Sequence, residues 1–327
     1  MILRALLAPD CGSGVGLGHL ERMLALADAL RPDTSVSVVL PDDDVELRRR
    51  VEDRGHAVVA ARGAAPDRVA SVLAAGRAPD LLVLDGYVFD AGMQERLRRR
   101  VPLTVVDDLG HTADCDLGIN PSPGGESLRP AGATAFLGGA AYALIRSAFA
   151  EARETVLRRG RARRTVLVST GATDIDGMAA NVSTRLLNED ASLEVLRVVG
   201  PDAQGASPVD QPRLHLLVAP PSLAEALAET TIYVGAAGTT AVQAACVGIP
   251  AVINDAVPNQ SAQAAALGRA GCAVVVDSED LAAECIKLLD DPARCDVMAE
   301  RGRALVDGRG AWRVAEAVRR LARVDAA

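Results

Sequence analysis

Short apolar runs and helical periods alternate along the chain from its first residues. Leu3 to Ala8 is an apolar run closed by turn residues, the mark of a strand buried on both faces. From Gly18 to Leu30, the positions Leu20, Met23, Leu24, Leu26, Ala27 and Leu30 recur at helical spacing. Further strands are predicted over 35–40, 56–60, 80–84 and 103–106, separated by helices over 42–54, 66–75 and 91–100. This alternation predicts βαβ units and a mostly parallel sheet. Residues 115–139 are less regular, and Asn120-Pro121-Ser122-Pro123-Gly124-Gly125 reads as a loop. A connecting helix is predicted over 142–158, followed by the basic stretch Gly160-Arg161-Ala162-Arg163-Arg164, which reads as a linker.

The alternation then restarts. Strands are predicted over 165–169, 193–199, 214–218, 231–234, 251–254 and 272–276. Helices are predicted over 177–187, 221–228 (with Ser222 as N-cap), 241–247 and 260–270, and then on to Arg323. Two successive α/β blocks of similar size, with no short internal repeat, predict two Rossmann-like domains. Their expected bounds are 1–158 and 159–327, the last helix crossing back to the first domain.

Composition narrows the function. The 327 residues are 49% hydrophobic and 24% charged, a globular profile, and only 2% aromatic, so Ala, Val and Leu must build the core. A net charge of -8 argues against an extended nucleic-acid surface, whose affinity comes from clustered Lys and Arg. It does not argue against a small phosphate ligand, which a helix N-terminus binds locally. The six cysteines lack C-x-x-C spacing and read as buried or free thiols of a reducing compartment. No run of 18 apolar residues and no signal pattern occurs, so no membrane span and a cytoplasmic location are expected. No cluster of His and carboxylates has metal-ligand spacing, so neither metal nor cofactor is expected. A monomer or weak homo-oligomer is the expected state.

Several strand ends carry chemistry. After the first strand come Gly12, Gly14, Gly16 and Gly18, then His19 and Arg22. Gly16 and Gly18 would let backbone N–H groups approach an anion, helped by the partial charge of the helix start. That charge also favours a neutral, proton-accepting imidazole at His19, and Arg22 lies three residues on, on the same helix face. A packed or capping histidine is the structural alternative. In the second block, Gly235-Ala236-Ala237-Gly238-Thr239-Thr240 ends a strand and opens a helix. Gly238, Thr239 and Thr240 would offer amides and hydroxyls to a diphosphate, with Gln243 in reach of a ribose hydroxyl; a capped βα turn is the alternative. Thr170-Gly171 is a similar turn at the same sheet edge. Asp85-Gly86-Tyr87 follows a buried strand, placing Asp85 and Tyr87 where a loop can face a ligand or pack on the domain edge. Asn259 in Val257-Pro258-Asn259-Gln260 reads as an N-cap, and the paired acids of Asp107-Asp108-Leu109-Gly110-His111 as a base, a metal site or loop caps, with the structural role favoured.

Together these segments resemble the UDP-sugar hydrolases of pseudaminic acid biosynthesis and the wider spore-coat polysaccharide group. Gly16-Leu17-Gly18-His19-Leu20-Glu21-Arg22 is similar to that family's G-x-G-H-x-x-R segment. Val106-Asp107-Asp108-Leu109 with Cys115-Asp116, and Tyr142 to Phe149, resemble its D-D-L…C-D and Y-x-L-L-R-x-x-F stretches. Gly235 to Thr240 and Asn259-Gln260 resemble its nucleotide turn and N-Q pair. The sequence departs from the family where Val242-Gln243 replaces Trp-Glu, which keeps hydrogen bonding but loses the charge expected to hold the ribose, and where Thr170-Gly171 replaces Gly-Gly.

The resemblance implies a GT-B-like fold, with the two parallel sheets facing a cleft that binds a UDP-sugar. It implies hydrolysis at the anomeric carbon, with His19 as base for a water and Tyr87 and Asn259 positioning that water or stabilising charge. Arg22 and helix N-termini would favour the departing diphosphate. A glycosyltransferase on the same fold, or a sugar-nucleotide-binding protein without activity, are the alternatives.

Overall fold

The computed structural model describes residues 2–12, 15, 17–76, 78–111, 113–159, 164–171, 177–200, 211–255 and 260–324. Its contacts divide the chain into two compact units, Met1–Arg146 with Arg309–Ala327, and Ser147–Gly308.

The first unit is built on seven parallel strands: β1 (Leu3–Pro9), β2 (Thr34–Pro41), β3 (Ala57–Ala61), β4 (Leu81–Asp85), β5 (Leu103–Val106), β6 (Cys115–Asn120) and β7 (Ala133–Gly138). Their order across the sheet is β3-β2-β1-β4-β5-β6-β7. Helices α1 (Gly18–Leu30), α2 (Val45–Glu52), α3 (Ala65–Ala75) and α4 (Ala91–Arg98) make the crossovers. Strands β1 and β4 are almost wholly buried because helices cover both faces, so they read as continuous apolar runs.

Strands β6 and β7 lie in the segment that sequence alone left irregular. β6 carries Asp116, Gly118 and Asn120 among its apolar residues, and β7 is an edge strand half open to solvent. Both facts erase the continuous apolar signature that marks central strands. The helix expected from Tyr142 begins only at Ser147, after a single 3₁₀ turn over Ala140–Tyr142.

The second unit holds α5 (Ser147–Arg159) and six parallel strands: β8 (Thr165–Ser169), β9 (Glu194–Val199), β10 (Leu214–Val218), β11 (Ile232–Ala236), β12 (Ala251–Asn254) and β13 (Ala273–Val275). The order is β10-β9-β8-β11-β12-β13. Helices α6 (Met178–Glu189), α7 (Ala224–Ala228), α8 (Thr239–Val247), α9 (Ser261–Ala270), α10 (Leu281–Leu289) and α11 (Pro292–Leu305) surround it. Helix α5 belongs here because it packs on α7 and α8, and Arg153 donates to the Cys246 carbonyl at 2.7 Å. The expected N-cap Ser222 instead accepts from Ala224 N at 3.2 Å, two residues before α7.

The final helix, α12 (Gly310–Val324), packs against α1 in the first unit. Val314, Ala315 and Val318 on one stripe join Met23, Leu26 and Leu30 in a common core. Arg319 clamps the end of α1, donating to the Ala29 and Leu30 carbonyls at 2.8 and 3.1 Å and pairing with Asp33 at 2.6 Å.

All six cysteines are buried and unpaired, and burial pushes the Cys115 thiol up to about 12, so it behaves as an inert small hydrophobe. Among the described residues no helix is long and apolar enough to cross a membrane.

One glycine is dictated by a close approach. Gly235, at the end of β11, has φ +152°, and a Cβ there would lie 1.8 Å from the Ser169 carbonyl oxygen. Gly235→Ala must push β8 and β11 apart where they form the sheet centre, and should cost about 3 kcal/mol or more. Urea unfolding checks this; a midpoint within error of the wild type would show that the strand ends yield freely.

Candidate active site

An open parallel sheet parts its loops where the strand order reverses, and ligands bind outside the carboxyl ends of the strands at that point. In the first unit the reversal falls between β1 and β4. The loop after β1 leads into α1, which starts at Gly18 and carries His19 and Arg22; β4 ends on Asp85, and Tyr87 follows. These four residues, drawn from two segments of the sequence, meet at the reversal.

Asp85 is fully buried and is the hub. Its Oδ1 lies 2.7 Å from His19 Nδ1 and accepts from Arg22 Nη2 at 2.6 Å, while its Oδ2 accepts from Arg22 Nε at 3.1 Å. A buried carboxylate beside a guanidinium is ionised and can only accept, so Nδ1 of His19 carries the proton. Arg22 Nη2 also lies 2.8 Å from Nδ1, but both nitrogens direct protons at the same oxygen. The tautomer that matches this contact has its lone pair on Nε2, the ring's other nitrogen. An imidazole oriented by a carboxylate in this way is able to take up a proton, the carboxylate stabilising the imidazolium that forms.

Arg22 locks the arrangement. It is 8% exposed, and its third contact runs from Nη1 to Asp108 Oδ2 at 2.6 Å. Burial alone would lower the guanidinium pKa, but Asp85 and Asp108 more than reverse this and raise it. The expectation that Arg22 attracts a departing diphosphate meets this geometry: its nitrogens are engaged by two carboxylates, so it organises the site from beneath. For Asp108, burial pushes the carboxyl up, yet the Arg22 charge and the hydrogen bonds from Tyr87 and Arg22 outweigh it and hold the group below the ordinary carboxylate range.

Tyr87 closes the network. Its hydroxyl donates to Asp108 Oδ1 at 2.6 Å, and its ring meets the His19 ring edge-on, with centroids 5.2 Å apart. The side chain stays well exposed, so it presents a ring surface beside the imidazole. Asp108 was read from sequence as a structural strand end. Its place here follows from β5 lying next to β4, a neighbour relation that carries no sequence signal. Gly18 is the first residue of α1. Gly16 and Asn259 lie outside the described residues.

In the second unit the order reverses between β8 and β11. Thr170 and Gly171 follow β8; Gly238, Thr239, Thr240 and Gln243 follow β11 on the start of α8. Gly238 is the N-cap of α8 and has no side chain to cap it; in the first turn the Ala241 amide donates to the Gly238 carbonyl at 3.0 Å. Gly171 takes φ +104° with open space where a Cβ would stand. Two residues not picked out from the sequence hold these turns. Buried Tyr233 places its hydroxyl 2.9 Å from the Ser169 carbonyl and 2.8 Å from the Ala236 carbonyl, tying the ends of β8 and β11 together. Gln263 donates through Nε2 to the Gly238 carbonyl at 3.0 Å and to that of Ala237.

No protein-family profile matches the chain. Among curated proteins, the uncharacterized protein MJ1062 of Methanocaldococcus jannaschii is 20% identical over 258 residues, covering 73% of this chain and 53% of its own length. The chain thus spans about half the length of that relative. Solved structures resemble it over nearly the whole chain. The spinosyn rhamnosyltransferase SpnG superposes with a TM-score of 0.67 at 16% identity, covering 97% of this chain and 100% of that one. SpnG is also known in complex with thymidine diphosphate. MurG of Acinetobacter baumannii gives 0.62 at 18% identity, covering 97% and 99%. A protein of Listeria monocytogenes assigned as a UDP-N-acetylglucosamine 2-epimerase gives 0.65 at 16%, covering 97% and 96%. The fold is the α/β GT-B fold of these glycosyltransferases, two Rossmann-like domains each built on a parallel sheet.

Proposed function

We propose that the protein is a glycosyltransferase that moves a sugar from a nucleoside diphosphate to a hydroxyl acceptor. The observation that carries this reading is the His19–Asp85 pair at the strand reversal, with Nδ1 fixed as donor and Nε2 left to take a proton. In the proposed reaction the acceptor hydroxyl loses its proton to His19 Nε2 as its oxygen attacks the anomeric carbon. The anomeric C–O bond to the diphosphate breaks, and the nucleoside diphosphate leaves with the bonding pair. Asp85 steadies the imidazolium, and Arg22 holds Asp85 in place. The turn at Gly238, Thr239 and Thr240, with Thr170 and Gly171, is the proposed diphosphate cradle, its amides supplying donors at a helix start. Gln243 is the proposed ribose contact.

The UDP-sugar hydrolase expected from the sequence resemblance differs only in the nucleophile, with water in place of the acceptor. The structural relatives named above are transferases and an epimerase, and they support the transferase alternative better; neither hydrolysis nor a pseudaminic acid sugar finds support among them. The fold and the dyad serve both readings, so the test is acceptor dependence. Purified protein is given UDP- and dTDP-sugars, and nucleoside diphosphate release is followed with and without a mixture of hydroxylated acceptors. Release that rises at least tenfold with acceptor is the expected result. Equal release in its absence would establish a hydrolase. Tight nucleotide-sugar binding with no release in either case would leave a binding protein.

A further inference from the structure

The loop after β5 brings a second imidazole to the same place. Asp107 is 6% exposed and accepts from the backbone N–H of Leu109 at 2.9 Å and of His111 at 2.5 Å. Gly110 between them takes φ +73°, a left-handed turn that L side chains rarely adopt. The clamped loop turns the His111 ring back, so that its Nδ1 lies 3.4 Å from Asp107 Oδ1. The ring then meets the Tyr87 ring edge-on, with centroids 6.0 Å apart. Tyr87 thus stands between two histidines, each backed by a buried aspartate: His19 by Asp85 and His111 by Asp107. His19 is nearly enclosed, whereas the His111 side chain is 59% exposed. A loop held by two backbone hydrogen bonds to a buried carboxylate, yet ending in an exposed imidazole against an exposed tyrosine, presents polar groups outward on a rigid base.

The charges around it restrict the partner. Three carboxylates, Asp85, Asp107 and Asp108, stand at these strand ends; the Arg22 guanidinium pairs with Asp85 and Asp108, while Asp107 is held by its own loop amides and His111. An incoming carboxylate or phosphate would meet an excess of like charge, while a neutral hydroxylated molecule would not.

We propose that His111 is a specificity-determining residue for the nucleophilic substrate. A neutral polyhydroxylated molecule lies over Tyr87, offering one hydroxyl to His19 and a second to His111. This rests on the nucleotide-sugar reading above and adds the class of acceptor and the residue that selects it. No covalent step is assigned to His111; it donates or accepts one hydrogen bond and sets affinity.

The chain has four histidines, which makes imidazole NMR a direct test. His56 is buried against Asp28 and His215 lies on β10, so these two serve as internal references. The probe is methyl β-D-glucopyranoside, titrated into the full chain, with methyl β-D-glucuronopyranoside as its anionic twin. The expected result is that the His19 and His111 signals move together with one dissociation constant while His56 and His215 stay still. The uronide should bind at least several-fold more weakly. His111→Ala should weaken the glucoside about three- to tenfold, with the His19 signal still moving, and His111→Gln should recover part of the loss. Movement of His19 without His111, movement of neither, or equal binding of the two glycosides would overturn the proposal. Nucleoside diphosphate release, measured on the same samples, separates the two claims. Release with a silent His111 sinks only this inference. Joint movement of the two signals without release sinks the transferase reading and leaves a sugar-binding surface.

Discussion

His19→Ala is expected to lower turnover by about 10²- to 10⁴-fold, the usual contribution of a positioned general base. Nucleotide binding should be unchanged, because the proposed diphosphate cradle belongs to the other unit. The variant leaves Asp85 with two hydrogen bonds from Arg22, so the buried carboxylate remains satisfied and the fold should hold. Release kinetics beside a titration of nucleoside diphosphate by calorimetry separate the two effects. Loss of both together would point to a damaged fold. Turnover within a factor of three of the wild type would remove His19 from the mechanism.

Asp85→Asn is the second large effect, and it acts through geometry. The carboxylate now accepts from three donors: His19 Nδ1, Arg22 Nη2 and Arg22 Nε. An amide has one oxygen and an NH₂ group that can only donate, so one side of the substituted group must present N–H to an N–H. If the NH₂ takes the place of Oδ2, it faces Arg22 Nε and two buried donors are left facing each other. If it takes the place of Oδ1, it faces both Arg22 Nη2 and His19 Nδ1; the ring is driven to the tautomer with its lone pair on Nδ1, and Nε2 can no longer take a proton. Either orientation should lower turnover by at least about 10²-fold. Loss of a buried ionic partner should also destabilise the fold by about 3 kcal/mol. Urea melts with single-turnover kinetics measure both. Asp108→Asn provides the comparison: it leaves the His19–Asp85 contact intact and should spare turnover far more than stability. If the two variants lost activity equally, the orientation of His19 would not be the controlling feature.

Much of the architecture is legible in the residues. Central strands such as 81–85 are covered on both faces, and the physics of burial demands unbroken apolar runs there. Helix α1 shows a complete apolar stripe from Leu20 to Leu30 because that stripe packs on both the sheet and α12. Strand β6 escaped because Asp116, Gly118 and Asn120 interrupt its apolar run, and β7 because it is an edge strand half open to solvent. The boundary between units also shifted from 158 to 146, since a helix's own periodicity does not say which neighbour receives its apolar face.

At the site the division is sharper. Chain order alone determined that Gly-rich turns end strands in both halves, that a histidine and an arginine share one helix face, and that Asp85 and Tyr87 follow a buried strand. Those are local properties, set by backbone freedom at glycine and by helical spacing. What only tertiary structure decided is the pairing: Asp85 under His19, Arg22 bridging Asp85 and Asp108, and His111 turned against Tyr87. These contacts join residues tens of positions apart. They exist because the strand order reverses between β1 and β4 and continues to β5, which sets three loops side by side at one sheet edge. Arg22 could pass for a ligand-binding cation in the sequence. In the structure it is buried and pairs with two carboxylates, Asp85 and Asp108.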